Sequence, residues 1–151
     1  MNGLTIDTII AKVDSLEPNQ YDTADKIRWL STLDGRIFEE IIMTHDDIPK
    51  HEHIVWRGNP LDQDIPERHH HHKRPEFEPY TSVNDELIAY APYGDELYTY
   101  YLQAMIAFNN AEVSKYNQRI VMFNSQYSMF AAHYNRTHKP RSVRRGNRFL
   151  F

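Results

Sequence analysis

Apolar residues recur at helical spacing at both ends of the chain and lose that spacing in the middle. Near the N-terminus Ile6, Ile9, Ile10, Val13 and Leu16 share one face, Thr5 stands where a helix cap belongs, and Pro18 stops the pattern. Asp22 caps a second predicted helix, with Asp25 in its first turn, where the dipole favours an anion. Ile27, Leu30, Leu33, Ile37, Phe38, Ile41 and Ile42 carry that helix from about 23 to 44. Gly35 interrupts it at a cost of about 1 kcal/mol relative to Ala, which points to a close packing contact, with a local break as the alternative.

Residues 45–82 contain five prolines, many charges and little periodicity. Only HIVWRG at 53–58 reads as a strand there. ELIAY at 86–90 is the second strand candidate, so a hairpin with its long connection at 59–82 is expected. From Asp95 the helical pattern returns. Leu97, Tyr101, Ala104, Met105 and Phe108 form one face, continued by Tyr116, Ile120, Phe123, Tyr127, Phe130, Ala131 and Tyr134. The asparagines of NNAE, 109–112, weaken the join, so 95–137 is expected as two helices or one strongly kinked helix. The predicted fold is mainly α: a bundle of about four helices over residues 1–137. A small β-hairpin or long-loop insertion projects at about 45–92, and an extended arm covers 138–151.

Charge changes this picture at the C-terminus. The segment RTHKPRSVRRGNRFLF, 136–151, holds six cations and no carboxylate, which leaves 11 basic against 21 acidic residues in the other 135. Pro140, Gly146 and the missing periodicity make 138–151 extended, with a reach of roughly 45 Å. There is no cysteine, which excludes thiol catalysis, disulfides and thiolate metal sites. No run approaches the roughly 20 apolar residues of a membrane span, and no export signal is legible.

Candidate chemistry is sparse. The five glycines form no phosphate loop, and GxSxG and HExxH are absent. HDDIPKHEH, 45–53, gathers His45, Asp46, Asp47, His51, Glu52 and His53, the strongest ligand-like cluster, yet its residues are adjacent rather than set on one helical face. It reads best as a polar helix exit. RHHHHKR, 68–74, places His69–His72 on alternate sides of an extended chain with no partner at a ligand spacing, so a solvated loop is expected instead of a metal site. Glu39 with Glu40, and Asp95 with Glu96, read as solvated faces or dipole partners. No catalytic residue, cofactor or metal is expected.

The polar companions of the aromatic stripe are informative. Gln103, Asn109, Asn110, Asn117, Gln118, Asn124, Gln126 and Asn135 stand where Lys and Glu would usually solubilise a helix. Amides can be buried against a partner without the desolvation cost of ions, so these positions read either as a protein contact or as an ordinary polar face.

Two blocks, TIDTIIAKVDSLEPNQYDTADKIRWLSTLDGRIFEEII and ELIAYAPYGDELYTYYLQAMIAFNNAEVSKYNQRIVMFNSQYSMFAAHYNRTH, resemble the head-tail connector (adaptor) proteins of tailed bacteriophages. They cover about two thirds of the chain and exclude residues 45–82. The resemblance implies a structural virion protein, not an enzyme. It would be made in the bacterial host cytoplasm and placed in the neck between capsid and tail. It implies self-association into a ring, commonly twelvefold, beneath the portal protein, with a docking surface for the next neck or tail-completion protein. Packaged DNA would pass through the channel without sequence-specific recognition. It also implies that the C-terminal segment reaches the portal. On that reading Phe149, Leu150 and Phe151 anchor the arm, while Arg141, Arg144, Arg145 and Arg148 steer it to carboxylates. By residue type Trp56, Tyr93 and Tyr98 are further interface candidates, whereas Trp29 is equally a core candidate. Two alternatives stay open: another neck or head-completion protein that contacts DNA through the basic arm, and a metal enzyme built on HDDIPKHEH and the His run.

Overall fold

The computed structural model describes residues 3–58 and 73–141. Within them the chain is mainly helical. Its elements are α1 (Ile6–Leu16), α2 (Thr23–Glu40), a 3-10 turn (Ile42–Thr44), β1 (Ile54–Arg57), β2 (Arg74–Phe77), α3 (Tyr93–Asn109) and α4 (Val113–Thr137). The His69–His72 run and the arm beyond Arg141 lie outside the described residues.

Local signals set the first two helices. The Thr5 hydroxyl accepts from the Thr8 amide, and the Asp22 carboxylate from the Asp25 amide, so each cap satisfies a donor the helix cannot. α2 ends at Glu40, before its expected end at 44, because Ile42–Thr44 tighten into the 3-10 turn, with Ile41 as the cap between the two. α2 runs unbroken through Gly35. A Cβ there would lie 3.6 Å from the Phe77 ring, an ordinary contact, so no close approach demands the glycine.

α3 is central, packing on α1, α2 and α4. It starts at Tyr93, two residues before the expected Asp95. It is separated from α4 at Asn110–Glu112, where Ala111 adopts a left-handed φ of 59°. The core joins Ile6, Ile9 and Val13 of α1, Leu30, Leu33, Ile37 and Phe38 of α2, Leu97, Tyr98 and Leu102 of α3, and Phe123, Phe130 and Tyr134 of α4. Trp29 belongs to it, edge-on to Tyr21. Ion pairs tie the periphery: Lys26 to Asp14 at 2.7 Å, Lys12 to Asp95 at 3.1 Å, and Arg119 to Glu17 at 3.3 Å.

The hairpin exists, but its second strand is not ELIAY. β1 pairs antiparallel with β2, which is RPEF, and Trp56 lies opposite Pro75. Pro is tolerated because both strands of a two-stranded sheet are edges, where a missing amide donor need not break a ladder. Leu87, Ile88 and Ala89 instead enter the core as irregular chain, and Leu87 donates its amide to the Leu4 carbonyl at 2.8 Å.

Candidate docking site at the root of the arm

The last turn of α4 fixes where the arm begins. Tyr134 is buried, and the His138 ring stacks on it at 3.7 Å and 5°. The buried ring of His45 meets Tyr134 edge-on at 4.8 Å and donates from Nδ1 to the Ile41 carbonyl at 2.8 Å. Burial, with the Asp47 carboxylate nearby, raises the Tyr134 phenol above its ordinary pKa. Its hydroxyl has no hydrogen-bond partner among the described residues.

From this aromatic clasp the chain runs antiparallel to residues 44–46. The Asp46 amide donates to the Lys139 carbonyl at 3.1 Å, and the Arg141 amide to the Thr44 carbonyl at 2.9 Å. Pro140 pairs with His45 as an isolated bridge between these bonds. Arg141 is thereby delivered into a cleft of about 440 Å³ lined also by Met43, Ile48, Trp56, Lys73, Arg74 and Pro75.

The hairpin supplies the other wall. Ile54 and Trp56 are two residues apart and so share one face of β1, opposite Phe77 and Pro75. At its base that face is core: Ile54 is buried and Phe77 packs on Phe38 and Tyr80. Further out it overhangs the cleft, which leaves Trp56 54% exposed. Three cations, the Asp46 carboxylate and an indole thus line one concavity with a net positive charge, a combination suited to carboxylates or phosphates beside an apolar group.

Of the expected site residues, the structure brings Arg141 and Trp56 together. Tyr93 is half-buried at the start of α3, 5.0 Å from the His133 ring, and does not line the cleft. Tyr98 is no interface residue: it is fully buried and hydrogen-bonded to Asp34. Arg144, Arg145, Arg148, Phe149, Leu150 and Phe151 lie outside the described residues. Lys73, Arg74 and Pro75 escaped the sequence reading because they fall in an aperiodic stretch, where nothing signalled a strand.

HDDIPKHEH does not converge on one site. His45 turns into the core, and His51 uses Nε2 toward the Glu86 carbonyl at 2.9 Å, its pKa lowered chiefly by burial.

A second surface lies on α4. This 25-residue helix packs against α3, buries Phe123, Phe130 and Tyr134, and leaves Val113, Val121, Met122 and Met129 exposed. Asn117, Gln118, Asn124 and Asn135 surround them, and no Asp or Glu occurs between Val113 and Thr137. Gln103, by contrast, is buried and presents no amide to a partner.

No known protein family, curated protein or solved structure matches the chain. Among the described residues, no helix is long and apolar enough to cross a membrane.

Proposed function

We propose that this chain is a structural virion protein: a head-tail adaptor that self-associates into a ring beneath a phage portal, extends the DNA channel and offers a docking surface to the next neck component. The outer face of α4 carries the reading. Exposed Val121, Met122 and Met129 among uncharged amides are costly to leave in water and inexpensive to bury, as a repeated contact between copies requires. Such a contact differs on its two sides, and heterologous contacts close into rings when the rotation permits.

The arm root supplies the second half of the reading. Backbone hydrogen bonds hold residues 139–141 against 44–46, and the basic sequence that ends in Phe-Leu-Phe follows them in the chain. The final tripeptide is an apolar anchor for a portal groove, and the arginines complement an acidic rim. The mass of the full-length protein, alone and mixed with portal rings, tests this against a chain lacking 142–151. Ring formation on the portal by the full-length chain only is the expected result. Failure of both chains to join any portal ring would overturn it.

One observation favours a second reading, a neck protein that grips DNA. Lys73, Arg74 and Arg141 outnumber the Asp46 carboxylate in a cleft with an exposed Trp, a combination that also suits phosphates and a stacked base. DNA binding led by this cleft weakens steeply between low and moderate salt, whereas an apolar anchor weakens little.

A further inference from the structure

The loop that enters β1 holds a constellation separate from the arm root. Glu52, His53 and Asp85 each offer one ligand atom, and the three atoms lie within 4.8 Å of one another. His53 and Asp85 are nearly covered, while Glu52 is exposed at the rim.

The orientation of the His53 ring decides what this cluster is for. Its Nδ1 lies 2.9 Å from the Glu78 carbonyl oxygen, which only accepts, so Nδ1 carries the proton. In the neutral ring Nε2 is then a bare lone pair, and it faces Oδ2 of Asp85 at 3.3 Å. Two electron-rich atoms at that distance require a proton or a cation between them. With ligand bonds near 2.1 Å, neighbouring donors on one ion stand about 3.0–3.4 Å apart. The separation found falls within that range. A carbonyl that fixes the tautomer of a ligating histidine is the usual outer support of a metal-bound imidazole.

The carboxylate is held as firmly. Oδ2 of Asp85 accepts from the Thr81 amide at 2.9 Å and from the Ser82 amide at 3.0 Å. Glu52 closes the set from the solvent side and balances a divalent charge together with Asp85. One nitrogen and two carboxylate oxygens, with no sulfur, suit an ion of intermediate hardness that keeps water in its remaining positions.

We propose that Glu52, His53 and Asp85 form a divalent cation site, of the kind filled by Zn²⁺, that ties the root of the hairpin to the body. The mechanical consequence follows from the neighbours of Asp85. Its carbonyl accepts the Ile6 amide at 3.1 Å, and the Val83 carbonyl accepts the Asp7 amide at 2.8 Å, both at the start of α1. A bound ion therefore links β1, the 81–85 turn and α1, independently of any ring or arm.

The test is Zn²⁺ titration of chelator-stripped, full-length protein by calorimetry, with thermal unfolding in parallel. His69–His72 are replaced by Ser in a second chain, so that the run cannot supply the signal. The expected result is one Zn²⁺ per chain persisting in that background, with a Tm that rises with free Zn²⁺ and falls back on chelation. His53→Ala and Glu52→Gln are each expected to weaken binding at least tenfold. Glu52 is exposed, so its variant tests the site even if His53→Ala disturbs the fold. Loss of stoichiometric binding in the Ser background, or an affinity unchanged by Glu52→Gln and by His53→Ala, overturns the proposal and leaves His53 and Asp85 as a hydrogen-bonded pair.

Discussion

The Tyr98 hydroxyl donates to Oδ1 of Asp34 at 2.5 Å, joining α3 to α2 inside the core. Tyr80 donates to Oδ2 of the same carboxylate, which also accepts the Ile88 amide at 2.9 Å. A fully buried acid is thus satisfied by three donors, two from the segment between the hairpin and α3 and one from α3 itself. Burial still dominates and raises the Asp34 pKa to about 6.

The sign of the pH effect follows. Between the unfolded value near 4 and the folded value of about 6, the folded chain holds the extra proton. The contribution of Asp34 to stability therefore falls as pH rises through that window, by about 3 kcal/mol in all. Asp34→Asn removes this titration. Its penalty relative to the parent, read from denaturant unfolding, is expected to be largest near pH 4 and to shrink toward pH 7. Tyr98→Phe leaves the Ala89 amide, now 2.8 Å from the hydroxyl, unpaired, and is expected to cost about 1–3 kcal/mol.

Gly94 sits where backbone meets backbone. A Cβ there would fall 2.3 Å from the Ala89 carbonyl oxygen and 2.9 Å from Cδ1 of Leu4. Gly94→Ala must push the start of α3 off its neighbours, and thermal unfolding should show a loss of about 1–3 kcal/mol.

Ala111 poses the opposite case. It is exposed, and its φ of 59° places a Cβ in the left-handed region that glycine occupies freely. Ala111→Gly should raise stability by about 0.5–1 kcal/mol, because relief of strain outweighs the extra freedom of the unfolded glycine. Chemical denaturation with an unchanged m-value is the check.

These positions also show what the residues disclose before folding. The Thr5 and Asp22 caps and the weak NNAE join were legible because each acts through neighbours a few residues away. The β1 partner was not. Pro75 argues against a strand anywhere but at an edge, while ELIAY looks like one although its apolar residues serve an irregular core segment. Tyr98 was misplaced for a related reason: Asp34, which draws its hydroxyl inward, looks from sequence like any polar position on an amphipathic helix. The cleft and the pairing of His53 with Asp85 join residues far apart in the chain, and no spacing rule encodes such meetings.

The outer face of α4 gives the reading of self-association a direct test. Val121→Glu and Met129→Glu alter exposed side chains, so the melting temperature of the monomer should hold to within about 0.5 kcal/mol of equivalent stability. Burying either carboxylate against a neighbouring copy is costly. Light scattering should therefore show loss of the ring with the fold intact. Rings that persist in both variants would place the contact elsewhere.

Trp56 and the arm can be tested as one surface. Trp56 lines the same cleft as Arg141, and its exposure makes Trp56→Ala tolerable to the fold. Each change, Trp56→Ala or removal of 142–151, is expected to weaken binding to portal rings. If both act on the same partner patch, their combined effect departs from additivity by at least about 0.5 kcal/mol. A cycle of binding measurements on the parent, each single change and the double change reads that difference. Strict additivity would mean that the indole and the arm meet different partners, and would assign the cleft to a role separate from the arm.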